Sequence, residues 1–143
     1  MILISHRGNT NGIKKKEENN PVYINLAISK GFNVEIDVNI FNNKIFLGHD
    51  EPQYQVDDKY LINPKLWCHA KDIYALERLK KINAKYYWHQ KDNYTLTSNG
   101  FFWTYPGATL VKNSICVLPE KTNYKKFNCA GICSDYIERY KKS

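Results

Sequence analysis

The stretch Met1-Ile2-Leu3-Ile4-Ser5-His6-Arg7-Gly8 decides how this chain is read. Four apolar residues in succession predict a strand over Ile2–Ser5, and that strand ends on a histidine, an arginine and a glycine turn. The same pattern recurs outward from it. Short runs rich in Ile, Val, Leu, Tyr, Trp or Phe, bounded by Asn, Gly, Asp or Pro, predict strands at Asn33–Val38, Lys44–Leu47, Leu66–Ala70, Lys85–His89, Phe101–Thr104, Ser114–Leu118 and Gly131–Ser134. Pro21–Lys30 reads as a helix closed by Gly31. Asp72–Ile82 reads as a second, with Asp72 as N-cap and a stripe of Ile73, Leu76, Leu79 and Ile82. A short third helix is expected within Asp135–Lys142. Strand, helix, strand predicts parallel β-α units in a single domain over residues 1–143. The middle and end of the chain leave little room for helices. An α/β barrel on this chain is therefore a reduced one, with short strands and several helices missing or shortened; a full barrel takes about 250 residues.

Composition narrows the classes. The apolar share of 43% and the aromatic share of 14% belong to a folded globular chain rather than a disordered one. No apolar run approaches the roughly 20 residues of a membrane-spanning helix. The basic start and apolar middle of a signal peptide are missing, so a cytoplasmic location is the expectation. Cys68, Cys116 and Cys133 fall in apolar runs, and the Cys129-Ala-Gly-Ile-Cys133 spacing is not C-x-x-C; buried free thiols are expected. The net charge of +7 favours anionic partners. The lysines are scattered, however, so Lys14-Lys15-Lys16 and Lys141-Lys142 read as solvated surface.

All four histidines lie at or just beyond strand ends: His6, His49, His69 and His89. In parallel α/β folds the C-terminal strand ends are where active sites assemble. Alternation in Asn33-Val34-Glu35-Ile36-Asp37-Val38 puts Glu35 and Asp37 on one face. Either they are solvated acids on a half-exposed strand, or both point into a barrel mouth. In the mouth they lie about 6–7 Å apart at the backbone, their repulsion is roughly 2–3 kcal/mol at an effective dielectric near 20, and desolvation adds several more per ion. A divalent cation reverses that sign, and hard oxygen ligands suit Mg²⁺ or Ca²⁺ best. Gly48-His49-Asp50 presents a second histidine on a loop. Paired, His6 and His49 suit in-line displacement at phosphorus, one taking the nucleophile's proton and the other protonating the leaving oxygen. Arg7 adds a planar fork for phosphate oxygens.

In order, His6-Arg7-Gly8, Glu18-Asn19, Ala27, Gly31, Glu35-Ile36-Asp37-Val38 and Gly48-His49-Asp50 resemble the glycerophosphodiester phosphodiesterase family, of the phospholipase C-like phosphodiesterase superfamily. His69-Ala70-Lys71 sits where that family usually has a Glu-x-Lys strand, and Gly131-Ile132-Cys133-Ser134-Asp135-Tyr136 is similar to its last strand. The likeness is dense over residues 1–52, thin over 72–130, and returns at 131–136. It implies a TIM-type barrel and metal-dependent hydrolysis of a small phosphodiester to a phosphomonoester and an alcohol, through a cyclic phosphate. It implies His6 and His49 as the acid/base pair, Arg7 and Lys71 on the phosphate, and Glu35 and Asp37 as metal ligands. The family's third metal carboxylate falls at His69, which softens the site toward Mn²⁺ or Zn²⁺; Glu120 is the alternative third ligand.

The aromatic stretches around Tyr86–Gln90 and Phe101–Tyr105 read as core and rim packing, or as a wall that stacks on substrate, with His89 and Trp103 in contact with it. Two further readings stand beside the hydrolase: a non-catalytic binder of a phospho-ligand, and, ranked last for want of an interleaved basic and aromatic stripe, a nucleic-acid phosphodiesterase.

Overall fold

The computed structural model describes residues 1–142. Its centre is a curled, mixed sheet of ten strands. They are β1 (Ile2–His6), β2 (Asn33–Phe41), β3 (Lys44–Leu47), β4 (Tyr54–Val56), β5 (Leu66–Ala70), β6 (Tyr86–Trp88), β7 (Tyr94–Leu96), β8 (Phe102–Thr104), β9 (Ser114–Val117) and β10 (Gly131–Ser134). The helices among the described residues are α1 (Pro21–Ser29), α2 (Asp58–Leu61) and α3 (Ile73–Lys81), with 3-10 turns at Pro119–Lys121 and Ile137–Tyr140. None is long and apolar enough to cross a membrane.

A parallel run passes from β6 through β5, β2, β1, β10 and β9 to β8. β3 and β4 add to β2 as an antiparallel meander, and β7 adds antiparallel to β8. The expected TIM-type β/α barrel is therefore wrong: the sheet is a curled half-barrel without alternating helices. The later connections hold no α-helix: residues 105–113 and 118–130 carry the chain between the parallel pairs β8–β9 and β9–β10, and residues 89–101 form β7, which folds back on β8. No ladder joins β6 to β7; the bond from Ser98 N to the Tyr86 carbonyl is a local bridge. Lys44–Leu47 is a strand at the expected residues. It returns along β2 because Asn42 and Asn43 both take positive φ, 49° and 59°, as a tight hairpin turn requires.

The two longer helices form where their ends are capped. Asn20 accepts from Val22 N with Pro21 at the first helical position, and Asp72 accepts from Ala75 N at 2.7 Å. The other Asp72 oxygen accepts from Ile40 N, tying α3 to the far end of β2. The expected stripe on α3 holds at Leu76, Leu79 and Ile82, which pack with Ala75 against the core, and fails at Ile73, which is exposed; α1 buries Ile24 and Ala27 and leaves Val22 and Leu26 exposed.

Alternation divides the sheet into two faces. Outward residues Val34, Ile36, Val38, Leu66, Cys68 and Ala70 pack under α1 and α3. Outward Cys116 and Ile132 pack with Phe32 and Ile137. The concave face is filled at its floor by Ile4, Trp67, Tyr87, Trp103, Ile115 and Cys133. Aromatic rings fill most of that space: Tyr87 stacks on Trp103 at 4.7 Å, and Trp103 lies 5.9 Å from Trp67. All four cysteines are free, and only Cys129 is not fully buried.

Candidate active site

One step above the aromatic floor the concave face turns polar. The parallel register sets His6 beside Glu35 and Asp37 beside His69. Asp135 follows the end of β10, next to β1. His49 reaches the same level by a detour. β2 overruns the site as far as Phe41, and β3 returns until Leu47 pairs with Val38 and Gly48 N bonds to the Asp37 carbonyl. A Cβ on Gly48 would collide with the Glu51 carbonyl, so glycine is required where the chain doubles back.

Glu35, Asp37 and His69 form the one metal-competent cluster among the described residues, their ligand atoms all within 4.8 Å of one another. Both carboxylates are buried, at 1% and 0% exposure. Glu35 Oε2 and Asp37 Oδ1 are buried without hydrogen-bond partners, a costly state that a cation relieves. His69 places Nε2 3.2 Å from the His89 carbonyl, leaving Nδ1 to face Asp37 Oδ1 at 3.3 Å. A metal-binding histidine is commonly fixed this way through its second nitrogen. The other Asp37 oxygen accepts from Asn19 Nδ2 at 2.9 Å, while Asn19 Oδ1 accepts from Asp37 N. The donor set fits one divalent cation. Glu120 is not part of it: its two oxygens accept from Ser134 Oγ and Asp135 N, so it braces the end of β10.

The two histidines sit at opposite ends of one hydrogen-bonded chain. His6 Nδ1 donates to Asp135 Oδ1 at 2.7 Å, and Nε2 lies 3.6 Å from Glu35. Asn9 donates to both Asp135 and Glu18. Arg7 places NH1 on Glu18 at 3.4 Å, Nε 3.0 Å from Asp37 in an ion pair off the hydrogen-bond angle, and NH2 on His49 Nδ1 at 2.6 Å. Arg7 and Gly8 take positive φ, 58° and 96°, which turns the chain sharply after β1.

These contacts set the titration of the site. Burial opposes protonation of His6, but the bond to Asp135 and the charge of Glu35 outweigh it, and its pKa is raised. Burial likewise opposes ionisation of Asp37; the rings of His49 and His69 and the Arg7 guanidinium reverse this and hold its carboxyl well below the usual carboxylate range. Glu35 differs: burial, followed by the charge of Asp37, raises its pKa against His6, Arg7 and His69.

The site opens into a cleft of about 760 Å³. Of the residues singled out in the sequence, His6, Arg7, Glu35, His49, His69, Lys71, His89 and Trp103 line it, and Asp37 lies directly behind. Two are placed differently from their expected use. Arg7 is turned toward Asp37, Glu18 and His49. Trp103, at 1% exposure, belongs to the floor, its ring against Tyr87 and Trp67. His89 stands at the rim, stacked on Tyr105 at 3.6 Å. Asp135, Asn9, Glu18, Asn19, Lys15 and Lys121 were given no role in the sequence reading. Glu18-Asn19 and Asp135 stood in the quoted motifs, and Lys15 in a run read as solvated surface; nothing local marked Asn9 or Lys121. No protein-family model, curated protein or solved structure matches the chain.

Proposed function

We propose that the protein is a divalent-metal-dependent phosphodiesterase acting on small diesters of the glycerophosphodiester kind. One observation carries this reading: two buried carboxylate oxygens without partners, Glu35 Oε2 and Asp37 Oδ1, beside a histidine and within reach of the His6–Asp135 pair in an open cleft. Glu35, Asp37 and His69 would hold the cation, which would offset their charge and polarise a phosphoryl oxygen. His6, with Nδ1–H fixed on Asp135, presents Nε2 to the cleft and, when protonated, gives that proton to the leaving alkoxide. His49 is the partner that takes the nucleophile's proton. Arg7 donates to its Nδ1 and lines the cleft, so the guanidinium that holds this imidazole is also the one that binds the phosphate.

The reading is tested with glycerophosphoethanolamine as substrate, with and without Mg²⁺, Ca²⁺ or Mn²⁺. Turnover that stops with EDTA and in His6→Ala and His49→Ala supports it; equal turnover in both variants sinks the mechanism. The Arg7–His49 contact also favours a second reading, a binder of phospho-ligands without turnover. Saturable binding with no hydrolysis under any of these cations would decide for it.

A further inference from the structure

His69 is held on two sides. Its ring stacks on Tyr87 at 4.8 Å, with 17° between the planes. Its Nε2 donates to the His89 carbonyl at 3.2 Å. A carbonyl oxygen can only accept, so Nε2 carries a proton and is closed to a cation. Nδ1 is the nitrogen left for the cluster, and it lies 3.3 Å from Asp37 Oδ1. Glu35 Oε2 and Asp37 Oδ1, both buried without hydrogen-bond partners, supply two oxygen donors beside it.

The neighbouring carboxylates are engaged elsewhere. Asp135 accepts from His6 and Asn9, Glu18 from Arg7 and Asn9, and Glu120 from Ser134 Oγ and Asp135 N. The protein donors are therefore two oxygens and one imidazole nitrogen. Ca²⁺ takes six to eight oxygens and Mg²⁺ an octahedron of them. Imidazole favours the first-row transition cations and Zn²⁺.

We infer that His69, ligating through Nδ1, makes this a site for Mn²⁺ or Zn²⁺ in preference to Mg²⁺ or Ca²⁺. The inference rests on the metal site of the proposed phosphodiesterase and not on its turnover. Tyr87 and the His89 carbonyl set the orientation of the ring, as partners of a metal-binding histidine commonly do.

The test is calorimetric titration of the metal-free protein with Mn²⁺, Zn²⁺, Mg²⁺ and Ca²⁺. Zn²⁺ outbinds Mg²⁺ at most protein sites, so the decisive reading is the change when the imidazole is replaced. In His69→Glu the ratio of Mn²⁺ to Mg²⁺ affinity is expected to fall about tenfold or more, with Ca²⁺ binding strengthened. His69→Gln, neutral and with an oxygen donor, should move that ratio the same way and serves if the glutamate variant does not fold. Tighter Mg²⁺ than Mn²⁺ in the wild type, or an unchanged ratio in a folded variant, would overturn the inference. Nitrogen-15 NMR of the wild type gives a second readout. Zn²⁺ should shift the His69 Nδ1 resonance while Nε2 keeps its proton; zinc on Nε2, or an unshifted ring, overturns the assignment. Hydrolysis of glycerophosphoethanolamine is followed in parallel. The cation preference without hydrolysis refutes the catalytic reading alone; hydrolysis without the preference refutes the role of His69 alone.

Discussion

Replacing Glu35 by Gln is expected to stabilise the metal-free protein and to abolish its response to divalent cations. The side chain is buried, and burial is the main force raising its pKa. Such a group weakens folding as it ionises. Below the ordinary value of 4.5 both folded and unfolded states are protonated, and stability is lost as pH rises from there through the raised folded value. The ligand atoms of Glu35 and Asp37 lie within 4.8 Å, where the repulsion of two unit charges is about 3 kcal/mol at an effective dielectric near 20. Desolvation adds to this, while His6 and Arg7 return part of it; burial remains the largest cause, so ionised Glu35 destabilises the fold. Each kcal/mol relieved raises Tm by roughly 2–4 °C in a domain of about this size. The assay is thermal unfolding at pH 7 in EDTA, then with increasing Mg²⁺ or Mn²⁺. The wild type should gain about 2.7 kcal/mol when the cation reaches a hundred times its Kd, and the variant nothing. A metal-free variant that melts at or below the wild-type temperature, or one that still responds to the cation, refutes the reasoning.

Asp135→Asn removes a main support of His6 protonation, so burial prevails and the His6 pKa falls. The alkaline limb of the kcat/KM profile should move to lower pH, and an unmoved limb would separate Asp135 from the proton transfer. Glu120→Ala strips Ser134 Oγ and Asp135 N of their acceptor and should cost about 1–3 kcal/mol in urea unfolding. Cation affinity should stay within twofold; a large loss would return Glu120 to the metal site. Trp103→Ala should cost about 3–5 kcal/mol as a core truncation, and a loss below about 1 kcal/mol would mean the ring is not packed as described.

Strands were legible where alternation or an apolar run was strong. Lys44–Leu47, Leu66–Ala70 and Gly131–Ser134 are found at the expected residues. β4 and β7, three residues each, were missed because Tyr54–Val56 and Tyr94–Leu96 are too short and polar to stand out. Pairing was less legible than existence. Nothing in Lys44–Leu47 itself tells parallel from antiparallel; the Asn42-Asn43 turn does. His49 was placed at the site for the wrong topological reason, as the end of a parallel strand, and arrives by the return of a hairpin. The acids of β2 were legible because a period of two puts Glu35 and Asp37 on one face. The partners that hold them, Asn19 and Arg7, are loop residues whose positive φ values no local pattern announced.

The pairing of β1 with β10 bears on how the protein is made. The bond between His6 and Asp135 joins residues 129 positions apart, and β1 lies between β2 and β10 in the sheet. Non-local pairing of this kind is slow, because the loop entropy is lost before the contacts form. A nascent chain that has emerged only as far as Ala130 carries β1 with one side unpaired and His6 without its acid. Folding of the site therefore waits for the last strand, and a chain stalled before Gly131 is expected to bind protein-folding helpers, or other copies of itself, along that open side of β1.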